Sequence, residues 1–167
     1  MISFRWLYPA LVISKSNAEN STLYVELEHF TDGHLMYPIG IDDYEKQSKS
    51  NTDIKSIILD ASSISNNERD RQLTIISSDL HIESIYILGK APNPGGEWSE
   101  FLKQFPKTQM FFDNEKELAV RWALDISFEY RRMAMNHKRN RNESMAQQCM
   151  QRCLDLYKRL KIADEPN

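Results

Sequence analysis

The sequence predicts an α/β protein: a five-stranded, doubly wound parallel sheet followed by a C-terminal helical hairpin. Two observations lead there. Short β-branched or aromatic runs alternate with stretches of helical periodicity, the pattern of right-handed crossovers in a parallel sheet. From Asn114 onward the alternation stops, and two long amphipathic segments replace it.

In chain order, "SFRWLYPAL" (residues 3–11) reads as the first strand. "NSTLYVELEHFTDG" is ambiguous, because Leu23, Val25 and Leu27 alternate as in a strand while Leu23, Leu27 and Phe30 fit a helix. A helix is preferred, since Asn20 or Ser21 can cap it and Asp32-Gly33 can stop it. "HLMYPIG" is then the second strand, and "DDYEKQSKS" a short, mostly solvated helix. "KSIILDAS", "SIYILGK" and "TQMFFDN" complete the sheet. The helix between the first two of these follows an Asn-rich cap and carries Leu73, Ile76 and Leu80. The next helix, "GGEWSEFLKQF", places Trp98, Phe101, Leu102 and Phe105 on one stripe. In the C-terminal part, Leu118, Trp122, Ile126, Tyr130 and Met133 line one long helix, which is expected to cover the sheet and project beyond it. "NRNES" interrupts the pattern, and Ala146, Cys149, Cys153, Tyr157 and Leu160 line a second helix, giving a hairpin. The expected organisation is an α/β domain over 1–113 and a helical hairpin over 114–163, ending in a frayed tail.

Composition narrows the function classes. With 41% hydrophobic and 27% charged residues in a chain of 167, the balance is that of a folded domain, not a disordered one. A net charge of −3 gives the whole chain no pull towards nucleic acid. The apolar stretch at the start is short and broken by Pro9, unlike a signal peptide, and no run has the length to span a bilayer. Cys149 and Cys153, four apart, suit one helix face better than a disulfide or zinc site. Reduced, half-buried thiols and a cytoplasmic location are expected.

Chemistry is sparse. "GKAPNPGGEW" fails as a phosphate loop, because Lys90 precedes the glycines and Glu97 would occupy the helix start that an anion needs. It reads as a turn. Asp60, at the end of the third strand, stands where phospho-receiver domains keep their acceptor aspartate. Such domains also need an acidic pair after the first strand, and here "VISKSN" follows it, while Asp42-Asp43 come after the second. Asp60 is therefore read as a turn cap with Ser62 and Ser63. Asp60, Ser62, Lys90 and Asp113 nonetheless collect at the C-terminal edge of the sheet, where α/β folds bind ligands, and form a candidate ligand site. Glu97 and Glu100, beside Trp98, suggest a TIR-like hydrolase of nicotinamide dinucleotides only weakly. The four histidines lack ligand spacing, and no cofactor or metal is expected. The basic cluster Arg131, Arg132, Lys138, Arg139 and Arg141 reads as a solvated turn complementing a helix C-terminus.

The segment "HIESIYILGKAP…EWSEFLKQFPKTQMFFDNEKELAVRWALD", with "FRWLY" and "IGIDDYEK", resembles the receiver-like N-terminal domains of bdelloid rotifer multidomain proteins. Those domains precede tetratricopeptide repeats or an ADP-ribosyltransferase module, and "AQQCMQRCLDLYKRL" is similar to a tetratricopeptide helix. The resemblance implies a receiver- or flavodoxin-like fold and a regulatory or interaction role, with no catalytic residue carried over. The expected function is a non-catalytic protein–protein interaction module, with Met133, Met145, Met150 and Tyr157 as its surface for a partner or for self-association. Neither nucleic acid nor a membrane is an expected partner. The rival is a small TIR-like enzyme or nucleotide sensor at the sheet edge.

Overall fold

The computed structural model describes residues 10–14, 22–31, 36–47 and 55–164. Within them the chain is α/β, with a parallel sheet flanked by helices and a C-terminal helical pair. It divides into two compact units between Leu118 and Ala119, inside one helix.

Up to Leu118, four strands in parallel pairing build the sheet: β1 (Ala10–Ile13), then β3 (Ser56–Asp60), β4 (Ser84–Leu88) and β5 (Thr108–Phe112). In β1, β3 and β4 the apolar runs are nearly continuous, as strands buried on both faces require, whereas β5 exposes Gln109 and Met110. Ile57, Ile58 and Leu59 are all buried, and so are Ile85, Tyr86 and Ile87. Beside β1 lies the short β2 (Met36–Ile39), paired in parallel through Leu11↔Met36 and Ile13↔Ile39 with a register shift between. Pro38 donates no ladder hydrogen bond, which restricts β2 to an edge.

The first helix, α1 (Thr22–Thr31), takes the helical alternative of its ambiguous segment. Leu23, Leu27 and Phe30 are buried and Val25 is exposed, so spacing of four and three wins over alternation. Three helices share one apolar cluster with the Ile57, Leu59, Ile85 and Ile87 face of the sheet. They are α2 (Ile41–Gln47), α3 (Asn66–Ser77) and α4 (Gly96–Gln104). Each contributes a pair to that cluster: Ile41 and Tyr44, Leu73 and Ile76, and Phe101 with the following Phe105.

Several expectations need correction. The first strand runs to Ile13, beyond the expected end at Leu11, and residues 3–9 lie outside the described residues. The expected caps of α1 also lie outside them. Tyr44 is buried within a helix expected to be mostly solvated, and its hydroxyl donates to Asp79. The cap of α3 is Ser65, whose hydroxyl accepts from the Glu68 amide at 3.1 Å, and not an asparagine. Leu80 is 94% exposed, because α3 stops at Ser77. Its end is fixed by Lys107, whose ammonium donates to the carbonyls of Ser77 (3.2 Å) and Asp79 (2.7 Å). A cation at a helix C-terminus satisfies orphan carbonyls and the helix dipole together. Arg69 and Gln72 take the buried positions beside Leu73 and Ile76.

From Ala119 onward the structure is helical: α5 (Glu115–Arg139) continues through the unit boundary, and α6 (Glu143–Asp164) follows. Asn114 caps α5 by accepting from the Glu117 amide at 3.0 Å. Trp122, Ile126 and Tyr130 are buried as expected, but the stripe continues to Ala134, with Met133 only half-buried. On α6 the buried residues are Cys149, Cys153 and Leu156, whereas Ala146, Tyr157 and Leu160 are half-buried. The thiols are thus fully buried, not half-buried, and free.

The helices join in a tight corner. The Asn142 amide donates to His137 O (2.8 Å) and the Arg141 amide to Lys138 O (3.2 Å), with Arg141 at φ 60°. This is a Schellman closure with arginine in the place that glycine usually fills. Asn142 then caps α6, its side chain accepting from the Met145 amide at 3.4 Å.

Candidate functional site

The C-terminal ends of the parallel strands gather the predicted polar residues. Asp60 closes β3, and both its oxygens are engaged. Oδ1 accepts from the Ser62 amide (3.1 Å) and hydroxyl (2.5 Å), and Oδ2 accepts from the Ser14 hydroxyl (3.3 Å). The side chain thus makes an Asx turn and ties β3 to the end of β1. Ser63 makes no such bond to Asp60 among the described residues.

A solvent-open cleft of about 450 Å³ lies at the ends of β4 and β5. Ser62, Lys90, Asp113 and Glu115 supply its polar lining, and Leu88, Ala91 and Phe111 its apolar part. Three of the four predicted residues therefore share one cleft, while Asp60 turns to Ser14 and Ser62 instead. Glu115 was not foreseen; it opens α5 two residues after Asp113. One ammonium, two carboxylates and a hydroxyl offer donors and acceptors to a small polar ligand. Gly89, at φ +154°, lets β4 end beside Ala61, where a Cβ would stand 3.5 Å from the Ala61 carbonyl carbon. The Ala61 amide meanwhile donates to Leu88 O at 2.8 Å. Among the described residues no three His, Cys, Asp or Glu side chains gather as a metal-holding group.

The glycine-rich segment after β4 is a turn. Gly95 precedes α4 at φ 97° and ψ −128°, a conformation open to glycine alone. The Glu97 carboxylate reaches back to the Asn93 amide at 3.1 Å, occupying the helix start with the protein's own anion. Pro92 lines a separate depression with Arg69, Glu97 and Glu100. Arg69, absent from the sequence reading, is buried with its guanidinium 5.1 Å from the centroid of Phe101 and 5.4 Å from that of Phe111. It pairs with Asp70 at 2.8 Å. Its spacing to Leu73 and Ile76, four and seven residues on, was the available signal.

The expected interaction surface is placed in part. Met150 is exposed and shares a groove of about 420 Å³ with Met135, Ala134 and Ala146, rimmed by Lys138, Glu143 and Gln147. Met133 and Met145 are half-buried and do not line it. Tyr157, also half-buried, meets Phe128 edge-on, with centroids 6.5 Å apart. Phe128, Met135, Met150 and Leu154 are the large exposed apolar residues of the pair. The basic cluster is exposed, with Arg132 bridged to Glu129 at 2.7 Å. Burial raises the pKa of both Cys149 and Cys153, and at Cys153 the charge of Arg131 opposes that rise.

No helix among the described residues is long and apolar enough to cross a membrane. Compared with known proteins, the chain matches no family model, no curated protein and no solved structure.

Proposed function

We propose that this chain is a non-catalytic regulatory module that binds a protein partner, or a second copy of itself, through its C-terminal helices. The observation that carries the reading is the apolar surface left open on the helical pair. Phe128, Met135, Met150 and Leu154 make up four of the seven large exposed hydrophobic residues found among the described ones. Flexible methionines at such a surface adapt to a partner at low cost. The rest of the chain is read as a degenerate receiver-like domain with a five-stranded sheet. The order β2-β1-β3-β4-β5, that of flavodoxin-like sheets, supports this. So does Asp60, whose carboxylate accepts from Ser14, the residue that follows β1. Kinship with the receiver-like domains of bdelloid rotifer proteins, and tetratricopeptide-like helices, are part of the same proposal. Two buried thiols fit a reducing, cytoplasmic setting.

The test is association of the intact chain, by sedimentation and by affinity capture, against Met150→Glu and Tyr157→Glu. The reading expects weaker association with an unchanged circular dichroism spectrum. Cooperative unfolding of either variant makes the surface core, and unchanged association places the interface elsewhere.

The cleft holding Ser62, Lys90 and Asp113 favours one alternative, a small nucleotide-sensing or TIR-like enzyme domain working at the sheet edge. Micromolar calorimetric binding of ATP or NAD, lost in Lys90→Ala, would move the protein to that class.

A further inference from the structure

A ring contact and a shared groove fix how α5 and α6 run past each other. Phe128 meets Tyr157, and Met135 shares a groove with Met150. Both intervals are seven residues, two helical turns, so the helices are antiparallel in register and the open face is about 10 Å long. Leu154 lies one turn from both Met150 and Tyr157 on that face.

Cations accompany this face. Phe128 is followed three residues on by Arg131, and Met135 by Lys138; Leu154 is followed four residues on by Lys158, and Tyr157 by Lys161. That spacing puts each cation beside its apolar residue. All four are exposed, and none has an ion-pair partner among the described residues. Of the acids on the two helices, Asp125 pairs with Arg121 and Glu129 with Arg132, and Asp155 accepts from the Gln151 side-chain amide at 3.0 Å. Glu143 alone of them lines the groove, so the four cations outnumber the acid beside them. From Ala119 onward the chain has ten basic and six acidic residues, against eleven and eighteen before it. A net acidic protein thus concentrates positive charge on its helical pair.

We infer that this face takes an acidic amphipathic helix from a partner protein, an inference that rests on the interaction reading above. Apolar residues of such a helix, three and four apart, would enter the groove floored by Ala134 and Ala146, and flanking carboxylates would meet Arg131, Lys138, Lys158 and Lys161. The occupant follows from the shape and the charge. A second copy would bring the same four cations against these, a like-charge contact that disfavours it. An anionic membrane suits a convex apolar ridge, whereas a concave groove between two helices suits protruding side chains.

The experiment titrates the intact chain into two labelled 18-residue peptides, both with leucines at helical spacing, one flanked by glutamates and the other by lysines. The glutamate peptide should bind at least about tenfold more tightly, a gap that narrows as salt rises. Lys138→Glu and Met150→Glu should each weaken it about tenfold, and exposed Lys138 keeps the test valid if the methionine variant fails to fold. Equal binding of the two peptides overturns the inference. So does capture by phosphatidylserine vesicles with no binding of the glutamate peptide. If neither peptide binds while the chain self-associates through Met150, the acidic-helix inference falls and the interaction module stands. If Met150→Glu stays folded and alters no association of any kind, both fall.

Discussion

Replacing Asp60 tests whether this aspartate is a structural tie or a phosphoacceptor. Its carboxylate accepts three hydrogen bonds, two from Ser62 and one from Ser14. Ser62 is exposed, so water recovers most of what its hydroxyl loses in Asp60→Ala. Ser14 is buried and the Ser62 amide holds the turn, so their bonds account for most of the cost. At about 0.5–1.5 kcal/mol for each of these two bonds, Asp60→Ala should destabilise the α/β unit by about 1–3 kcal/mol. Asp60→Asn keeps an acceptor for the Ser62 amide and should cost under about 1 kcal/mol. Urea unfolding followed by tryptophan fluorescence measures both. Beryllofluoride with magnesium should leave the amide spectrum around residues 59–63 unchanged, since among the described residues no group of acidic side chains gathers beside Asp60 to hold the metal. A neutral Asp60→Ala together with saturable shifts centred on Asp60 would refute the structural reading.

Three further predictions follow from the packing. Arg69→Ala should cost about 2–3 kcal/mol in urea unfolding, because it removes a buried cation from the Phe101 and Phe111 rings and frees Asp70; Arg69→Met should cost less by keeping the packing. Cys149 and Cys153 should resist a disulfide reagent until the helices unfold. Their folded pKa values are raised, so the unfolded chain loses its protons first, and stability should be unaffected below about pH 8.5 and fall as pH rises above it. At the helical corner, Asn142→Ala should destabilise by about 1 kcal/mol through loss of the α6 cap, while Arg141→Gly should stabilise by about 0.5–1 kcal/mol by relieving φ 60°.

What the sequence made legible was what local chemistry decides. Strands β3 and β4 announced themselves as apolar runs and β5 as a shorter one ending in Phe111 and Phe112, while the ambiguous α1 segment was read as a helix from its flanking cap and stop residues. Asp60 with Ser62 was legible because an Asx turn needs only neighbouring residues. Lys90 and Asp113 were legible from topology, which sends the ends of adjacent parallel strands to one edge. What escaped depended on partners distant in sequence. Helical spacing carries on smoothly to Leu80, but Lys107, thirty residues downstream of Ser77, closes α3 before it. Arg69 looked like one more solvated charge, since the rings that receive it lie on α4 and β5. On α5 a step of three from Tyr130 chose Met133, whereas the buried stripe steps by four to Ala134. That difference turned Met135, not Met133, into the groove.

Amide hydrogen exchange of the chain alone and in its captured complex tests the central claim most directly, because it reports where a partner sits. The account predicts slowed exchange over residues 128–138 and 146–157, where the exposed apolar and cationic side chains lie, with the sheet edge unchanged. Protection confined to residues 88–91 and 111–115 would contradict it and give the working surface to the cleft.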